Sequence, residues 1–273
     1  MLEVADGKQY GVALVPDHPD LRRSSPVRHV FALALLTLAT AAHAANEIDA
    51  NVEAALAAES RPAADVERDK NRKALDTLNF FGLKDNMRVL ELIPGGGWYT
   101  RVLAPMLAEN GKLYVAIGAG RTARTVLTEP GFENVTVLET TDNINRPEGA
   151  RYYHIDDFEF GISDIDMVLT FRNMHNFDPA SRGRLNAQVF DVLKSGGLYG
   201  VVDHTKRHME PENYENRRRI DPVLVIKELL DLGFEFVGYS DLHYRADDEL
   251  EYEVGRRSVS GNTDRFTLLF RKP

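Results

Sequence analysis

The chain of 273 residues contains no cysteine. Disulfides, thiolate nucleophiles and cysteine-ligated metals are therefore excluded, while the compartment stays open. Basic charge is also short: 33 Lys and Arg stand against 42 Asp and Glu, a net charge of -9. A nucleic-acid partner calls for a basic face, so this balance argues against one. Otherwise it is a statement about solubility. No Gly-x-Ser-x-Gly elbow supports a serine hydrolase, and there is no internal repeat or low-complexity tract. Long apolar runs are scarce. The most marked, Val30 to Ala42, is too short for a comfortable membrane span.

That run has the anatomy of a secretory leader. Arg28 and His29 precede it, and Ala42-His43-Ala44 gives the small-x-small pattern of a signal-peptidase site. The reading is a signal peptide over 27–44, cleavage before Ala45, and a periplasmic or secreted mature chain with no membrane span. A buried core helix or an uncleaved anchor is the alternative. Residues 1–26 are polar, mixed in charge and without period. They read as a disordered or mis-assigned extension, with Met1 not the true start and Val27 marking the initiation codon. Residues 45–62 read as a short Ala-rich helical lead, and 63–273 as the main domain.

The most informative stretch is Val89-Leu-Glu-Leu-Ile-Pro-Gly-Gly-Gly-Trp-Tyr-Thr100. An apolar strand meets a carboxylate, Glu91, and then Pro94, Gly95, Gly96 and Gly97. A segment follows with Val102, Leu103, Met106 and Leu107 spaced for one helix face. An α/β domain uses such a turn to bring its backbone close to a nucleotide-like ligand at a strand's C-terminal end. Glycine leaves no Cβ in the way, so a side chain at Gly95 or Gly97 is expected to enter the ligand's space without unfolding the domain. A tight strand-to-helix turn with no ligand is the bland alternative.

Strand and helix signals then alternate. Strands are expected at Arg88 to Leu92, Lys112 to Ile117, Asn134 to Leu138, Ile165 to Thr170 and Leu198 to Val202, with a closing pair at Glu235 to Leu242 and Arg265 to Arg271. Asp178-Pro179 and Asp221-Pro222 each supply an N-cap and a Pro at the first helical position. The first of these helices is expected to end at Ser195-Gly196-Gly197 and the second at Leu232-Gly233. Residues 63 to 81 read as a helix whose many charges form a solvated face, with Gly82 as its C-cap. The fold class is α/β: a doubly wound, mostly parallel seven-stranded Rossmann-like sheet with an antiparallel C-terminal strand.

From residue 63 onward the chain resembles the class I S-adenosylmethionine (SAM) methyltransferases. Glu91 takes the acidic place of their first motif, and Gly95 and Gly97 take its second and third glycine places. Ile93 stands where the first glycine is expected. The sequence is also similar to a group of predicted bacterial methyltransferases through Phe80-Phe81-Gly82, Pro94 to Thr100 and Thr170 to Asn176. The resemblance implies SAM as cofactor and a small-molecule acceptor. It also implies an acidic residue at the end of the second strand, where this chain has Gly118 or Ala119. Asp142 is the substitute for that carboxylate, or else a solvated loop residue.

Methyl transfer needs an aligned nucleophile, at most a base, and exclusion of water. The groups for it should lie at the C-terminal ends of strands one, four and five. These are Tyr99, then Arg172, Asn173, His175 and Asn176, then Asp203 and His204. His175 is the base candidate because histidine ordinarily changes charge near neutral pH; a helix-capping role is its alternative. Trp98 and Tyr99 flank the ligand or belong to the core. His204 and His208 have a metal-ligand spacing only if the turn is helical, which no pattern supports. Arg217-Arg218-Arg219 meets an anionic substrate or is a solvated basic face. An exported ligand-binding protein on the same fold is the second reading of the whole chain.

Overall fold

The computed structural model describes residues 48–139 and 144–273, all within one compact unit. The signal-peptide reading and Asp142 fall outside the described residues. The element order is α1 (48–57), α2 (Ala63–Val66), α3 (Asp69–Arg72), α4 (Ala74–Phe81), β1 (Arg88–Leu92), α5 (Thr100–Leu107), β2 (Lys112–Ala116), α6 (Gly120–Thr125) and β3 (Thr136–Val137). It continues with β4 (Ile144–Asn145), β5 (His154–Ile155), β6 (Ile165–Phe171), α7 (Pro179–Val192), β7 (Leu193–His204), α8 (Pro222–Asp231), β8 (Glu235–Ser240) and β9 (Arg265–Arg271). No described helix is long and apolar enough to cross a membrane.

Seven strands form one sheet in the order β3-β2-β1-β6-β7-β9-β8. The β1–β2, β1–β6, β2–β3 and β6–β7 pairings are parallel, and β9 runs antiparallel to both β7 and β8. The chain starts in the middle of the sheet, winds to one edge, and returns to build the other. The strand order therefore reverses beside β1, and the connections that leave the C-terminal ends of the paired strands β1 and β6 run to opposite sides, which leaves a crevice beyond those ends. Apolar residues alternate across the sheet into two cores. Leu90, Leu92 and Val168 face a layer with Leu185 and Val189 of α7 and Val225 and Leu229 of α8. Val89, Met167, Leu169 and Phe171 face Leu78 and Phe81 of α4, Val102 and Leu103 of α5, and Val52 of α1. The helical lead thus shares the domain's core.

Local punctuation explains most boundaries. Gly82, at φ 72, ends α4, and the N–H of Leu83 reaches back to the Leu78 carbonyl at 3.1 Å. Phe81 is fully buried against Gly200 of β7, where an added Cβ would lie 2.8 Å from the Phe81 ring. Asp178 and Asp221 cap α7 and α8 by accepting from the N–H groups of Ser181 and Val223, each ahead of its Pro.

Two expectations need correcting, and one element was not foreseen. Residues 63 to 81 form three short helices, because Lys73 adopts a left-handed conformation at φ 43 and turns the chain between α3 and α4. Helix α7 stops at Val192, before Ser195-Gly196-Gly197. Leu193 is already extended, and residues 193–197 enter the sheet as an irregularity in the β6–β7 register. The β4–β5 hairpin, two residues a side, was not expected at all.

Candidate active site

A cleft of about 320 Å³ opens at the C-terminal ends of β1 and β6. The turn after β1 forms one wall. Ile93 takes φ 53, a left-handed conformation costly for a β-branched residue and free for the glycine expected there. Its N–H donates to the Ala116 carbonyl at 2.8 Å, and Thr122 Oγ1 donates to the Gly95 carbonyl at 2.9 Å, so β2 and α6 brace the turn. Pro94, Gly95 and Gly96 line the cleft. A Cβ on Gly96 would meet nothing within 4 Å.

Gly97 behaves differently from its expected role. It lies at φ 76 and away from the cleft lining, and a Cβ there would come 2.5 Å from Val126 Cγ2. Its small size lets α6 pack under the turn, so a side chain at Gly97 would disturb the fold before it met any ligand. Glu91 lies at the base of the cleft, 2 % exposed, and accepts from Thr100 Oγ1 at 2.6 Å. It thereby ties β1 to the first turn of α5. Burial raises its pKa to about 7, against the opposing pulls of the Thr100 hydrogen bond and the Arg72 charge.

The segment after β6 forms the facing wall. Arg172 takes φ 65, and its N–H donates to the Val202 carbonyl at 2.6 Å. Asn173 Nδ2 donates to the Ile93 carbonyl at 3.3 Å and ties this wall to the glycine turn. A short 3₁₀ turn over Met174–Asn176 then presents His175. Nδ1–H of His175 donates to Asp203 Oδ1 at 2.5 Å, and the same carboxylate accepts from the His175 N–H at 3.1 Å and the His204 N–H at 2.7 Å. Asp203 is fully buried at the end of β7, while His175 lines the cleft. The Nδ1 bond fixes the tautomer and leaves Nε2 as an acceptor. Residues 28 apart in sequence thus form an aspartate–histidine dyad because β6 and β7 are neighbours.

His204 plays another part. Its Nδ1 bonds Thr263 Oγ1 at 2.9 Å. Burial, then the charges of His175 and several arginines, hold its pKa well below the usual histidine range. A neutral imidazole among cations is a poor proton acceptor, so His204 is a poor candidate for the base. His208 sits beyond the strand's end and bonds Asp221 Oδ2 at 2.9 Å, so His204 and His208 do not lie on one helical turn.

Both aromatic candidates are buried. Trp98 Nε1 donates to the Asp65 carbonyl at 2.9 Å, and Tyr99 stacks on Phe171 at 3.4 Å between centroids. Each has an edge on the cleft, so they are core and wall at once. Gly118 follows β2 at φ 65, exposed and outside the cleft lining. The arginine run divides three ways. Arg217 lies over Tyr214. Arg218 reaches the cleft and pairs with Glu253. Arg219 is buried in a two-pronged pair with Asp248, both bonds 2.9 Å. That last pair pins the long 241–264 loop, from which Val254 reaches the cleft.

No protein-family model and no curated protein matches this chain. Solved structures do. A SAM dependent methyltransferase from Aquifex aeolicus is 18% identical, covering 79% of this chain and 100% of its own, with a TM-score of 0.53. The cyclase SpnF is 17% identical, covering 80% and 83%, with a TM-score of 0.51. The chain has the class I methyltransferase fold. Two such neighbours, one a methyltransferase and the other a cyclase, also show that this fold does not by itself fix the reaction.

Sequence reasoning missed Arg68, Arg72 and Arg265, which border the cleft or the chamber beside it. Arg68 and Arg72 belong to the stretch whose charges read as a solvated face, and Arg265 opens an ordinary apolar strand. Nothing local marks them. Only the left-handed break at Lys73 and the β9 register bring them to the site.

Proposed function

We propose that this protein transfers a methyl group from SAM to a small-molecule acceptor, with His175 as general base and Asp203 as its positioning residue. The observation that carries this reading is the placement of the His175–Asp203 dyad across one cleft from the Gly95–Gly96 turn. The turn fits the cofactor: two glycines leave open space, and Glu91 sits beneath them. Pro94, Gly95 and Gly96 would hold the cofactor's nucleoside and methionine portions, with Trp98 and Tyr99 as the floor. SAM supplies an electrophilic methyl group on a sulfonium. His175 Nε2 takes the acceptor's proton, Asp203 stabilises the charge that develops on the ring, and Asn173 holds the two walls in register.

Replacing His175 with Ala should lower turnover by about 10²–10⁴-fold, the usual contribution of general-base catalysis, with SAM affinity within about twofold. Formation of S-adenosylhomocysteine (SAH) from SAM across a panel of acceptors reads the first, and calorimetric titration reads the second. A loss of about 0.5–2 kcal/mol in stability with turnover intact would make His175 a capping residue instead.

The second reading, a ligand-binding protein that does not methylate, draws on Ile117-Gly118-Ala119-Gly120. These residues offer no carboxylate for ribose hydroxyls at the end of β2. We also propose export through the 27–44 leader. N-terminal sequencing should find Ala45 first, and recovery of an intact 1–44 segment on the purified protein would remove the proposal.

A further inference from the structure

Arg68 and Arg218 at the cleft have carboxylate partners, whereas Arg72, Arg172 and Arg265 have no ion pair among the described residues. Arg72 is 6 % exposed and stacks on Trp98 at 4.6 Å, and its Nε is buried without a hydrogen-bond partner. Its own carbonyl accepts from Tyr99 Oη at 3.2 Å and His243 Nε2 at 3.1 Å, which fixes where the residue sits. Arg265 is 7 % exposed. It donates Nη1 to the Asn71 carbonyl at 2.7 Å and leaves its Nε buried and unpartnered. The Arg172 guanidinium has no ion pair or hydrogen bond among the described residues. All three line a chamber of about 400 Å³ that adjoins the cleft, shares Arg72, Arg172 and His204 with it, and also carries Ser260.

No carboxylate lines this chamber. Nearby acids are committed elsewhere: Glu253 to Arg218, Asp65 to Arg68 at 3.7 Å, and Asp203 to His175, while Glu91 accepts from Thr100 and meets Arg72 only through its charge, with no ion pair between them. Burial and then the Arg172 charge pull the pKa values of Arg72 and Arg265 below the ordinary arginine range. Uncompensated buried cations are costly, and a bound anion offsets that cost. A planar carboxylate is satisfied by one bidentate guanidinium. Three guanidiniums from three elements (α3, the turn after β6, and β9) suit an oxyanion with more faces and more charge.

We propose that this chamber binds a phosphate-type dianion carried by the methyl acceptor, with Arg72, Arg172 and Arg265 as its guanidinium ligands. The assignment to the acceptor rests on the methyl-transfer reading of the adjoining cleft. The rival anion is the carboxylate of SAM itself.

The test is calorimetric titration of the full protein with phenyl phosphate and with benzoate, each with and without saturating SAH. Phenyl phosphate should bind one per chain, at least about tenfold tighter than benzoate, and equally well with SAH present. Arg172→Gln and Arg265→Gln should each weaken phenyl phosphate at least about tenfold while SAH affinity stays within about twofold. The anion-free melting temperature of Arg172→Gln should be no lower than wild type, so lost binding is not lost folding. Absence of phenyl phosphate binding, indifference to both substitutions, or displacement by SAH would each overturn the proposal. Displacement would assign the arginines to the cofactor. If SAH fails to bind but arginine-dependent phenyl phosphate binding persists, the methyl-transfer reading falls and the anion chamber stands.

Discussion

Gly96 and Gly97 are adjacent in one turn, yet the same substitution should act on different properties at the two. At Gly97 the backbone is left-handed, φ 76, and an added Cβ would lie 2.5 Å from Val126 Cγ2 and 3.2 Å from Thr122 Cγ2. Holding a Cβ-bearing residue in that conformation costs about 1–2 kcal/mol, and overpacking a filled site adds about 1–3 kcal/mol. Gly97→Ala should therefore lose about 2–5 kcal/mol, which in a domain of this size lowers the melting temperature by roughly 4–20 °C. At Gly96 the same methyl meets nothing within 4 Å, and no left-handed conformation is involved. Gly96→Ala should melt within about 2 °C of wild type. Gly96→Val, which adds bulk in the open space at a residue lining the cleft, should stay folded and lose SAH binding. Thermal denaturation followed by circular dichroism, with calorimetric titration on the same preparations, reads both. A Gly97→Ala protein as stable as wild type, or a folded Gly96→Val protein with unchanged SAH affinity, would refute the assignment of the two faces of the turn.

Two further outcomes concern Glu91, at the base of the cleft, and Gly118, which follows β2 outside the cleft lining. Burial raises the Glu91 pKa from 4.5 to about 7, so between those values the folded state keeps a proton that the unfolded state releases. Stability should then fall as pH rises through that window, by about 3 kcal/mol from this group, and level off above it. Glu91→Gln should flatten the dependence and melt higher than wild type at pH 8; identical pH profiles for the two proteins would contradict this. Gly118, exposed at φ 65 with open space around its Cβ position, can accept an aspartate, a residue that tolerates this conformation better than most. Gly118→Asp should tighten SAH binding by about 10–100-fold, the value of about 1.5–3 kcal/mol for a charged hydrogen bond. Unchanged affinity would mean that no ribose lies at the end of β2.

Strand positions and helix starts were legible because their signals are local. Arg88 to Leu92 and Arg265 to Arg271 appear as expected, and Asp178-Pro179 and Asp221-Pro222 begin their helices. Position relative to strand ends also sufficed to expect His175, Asp203 and Asn173 near one another, since a parallel sheet brings those ends together. The bond between His175 and Asp203 was not readable, because it depends on the β6–β7 register. Gly97 looked like its neighbours because a glycine that spares a ligand and one that spares a helix are the same letter. The basic chamber was hidden for a related reason. Arg72 sits among acids that would satisfy it on a continuous helix, and only the turn at Lys73 directs it into the site.

The central claim is that a SAM-like nucleoside rests on the Gly95–Gly96 turn opposite His175. Its most direct test is calorimetric titration of the purified protein with SAH, read against folded Gly96→Val. The account predicts saturable binding of one SAH per chain that the substitution abolishes. No heat of binding from a folded wild-type protein at millimolar SAH, or equal binding by the two proteins, would contradict it.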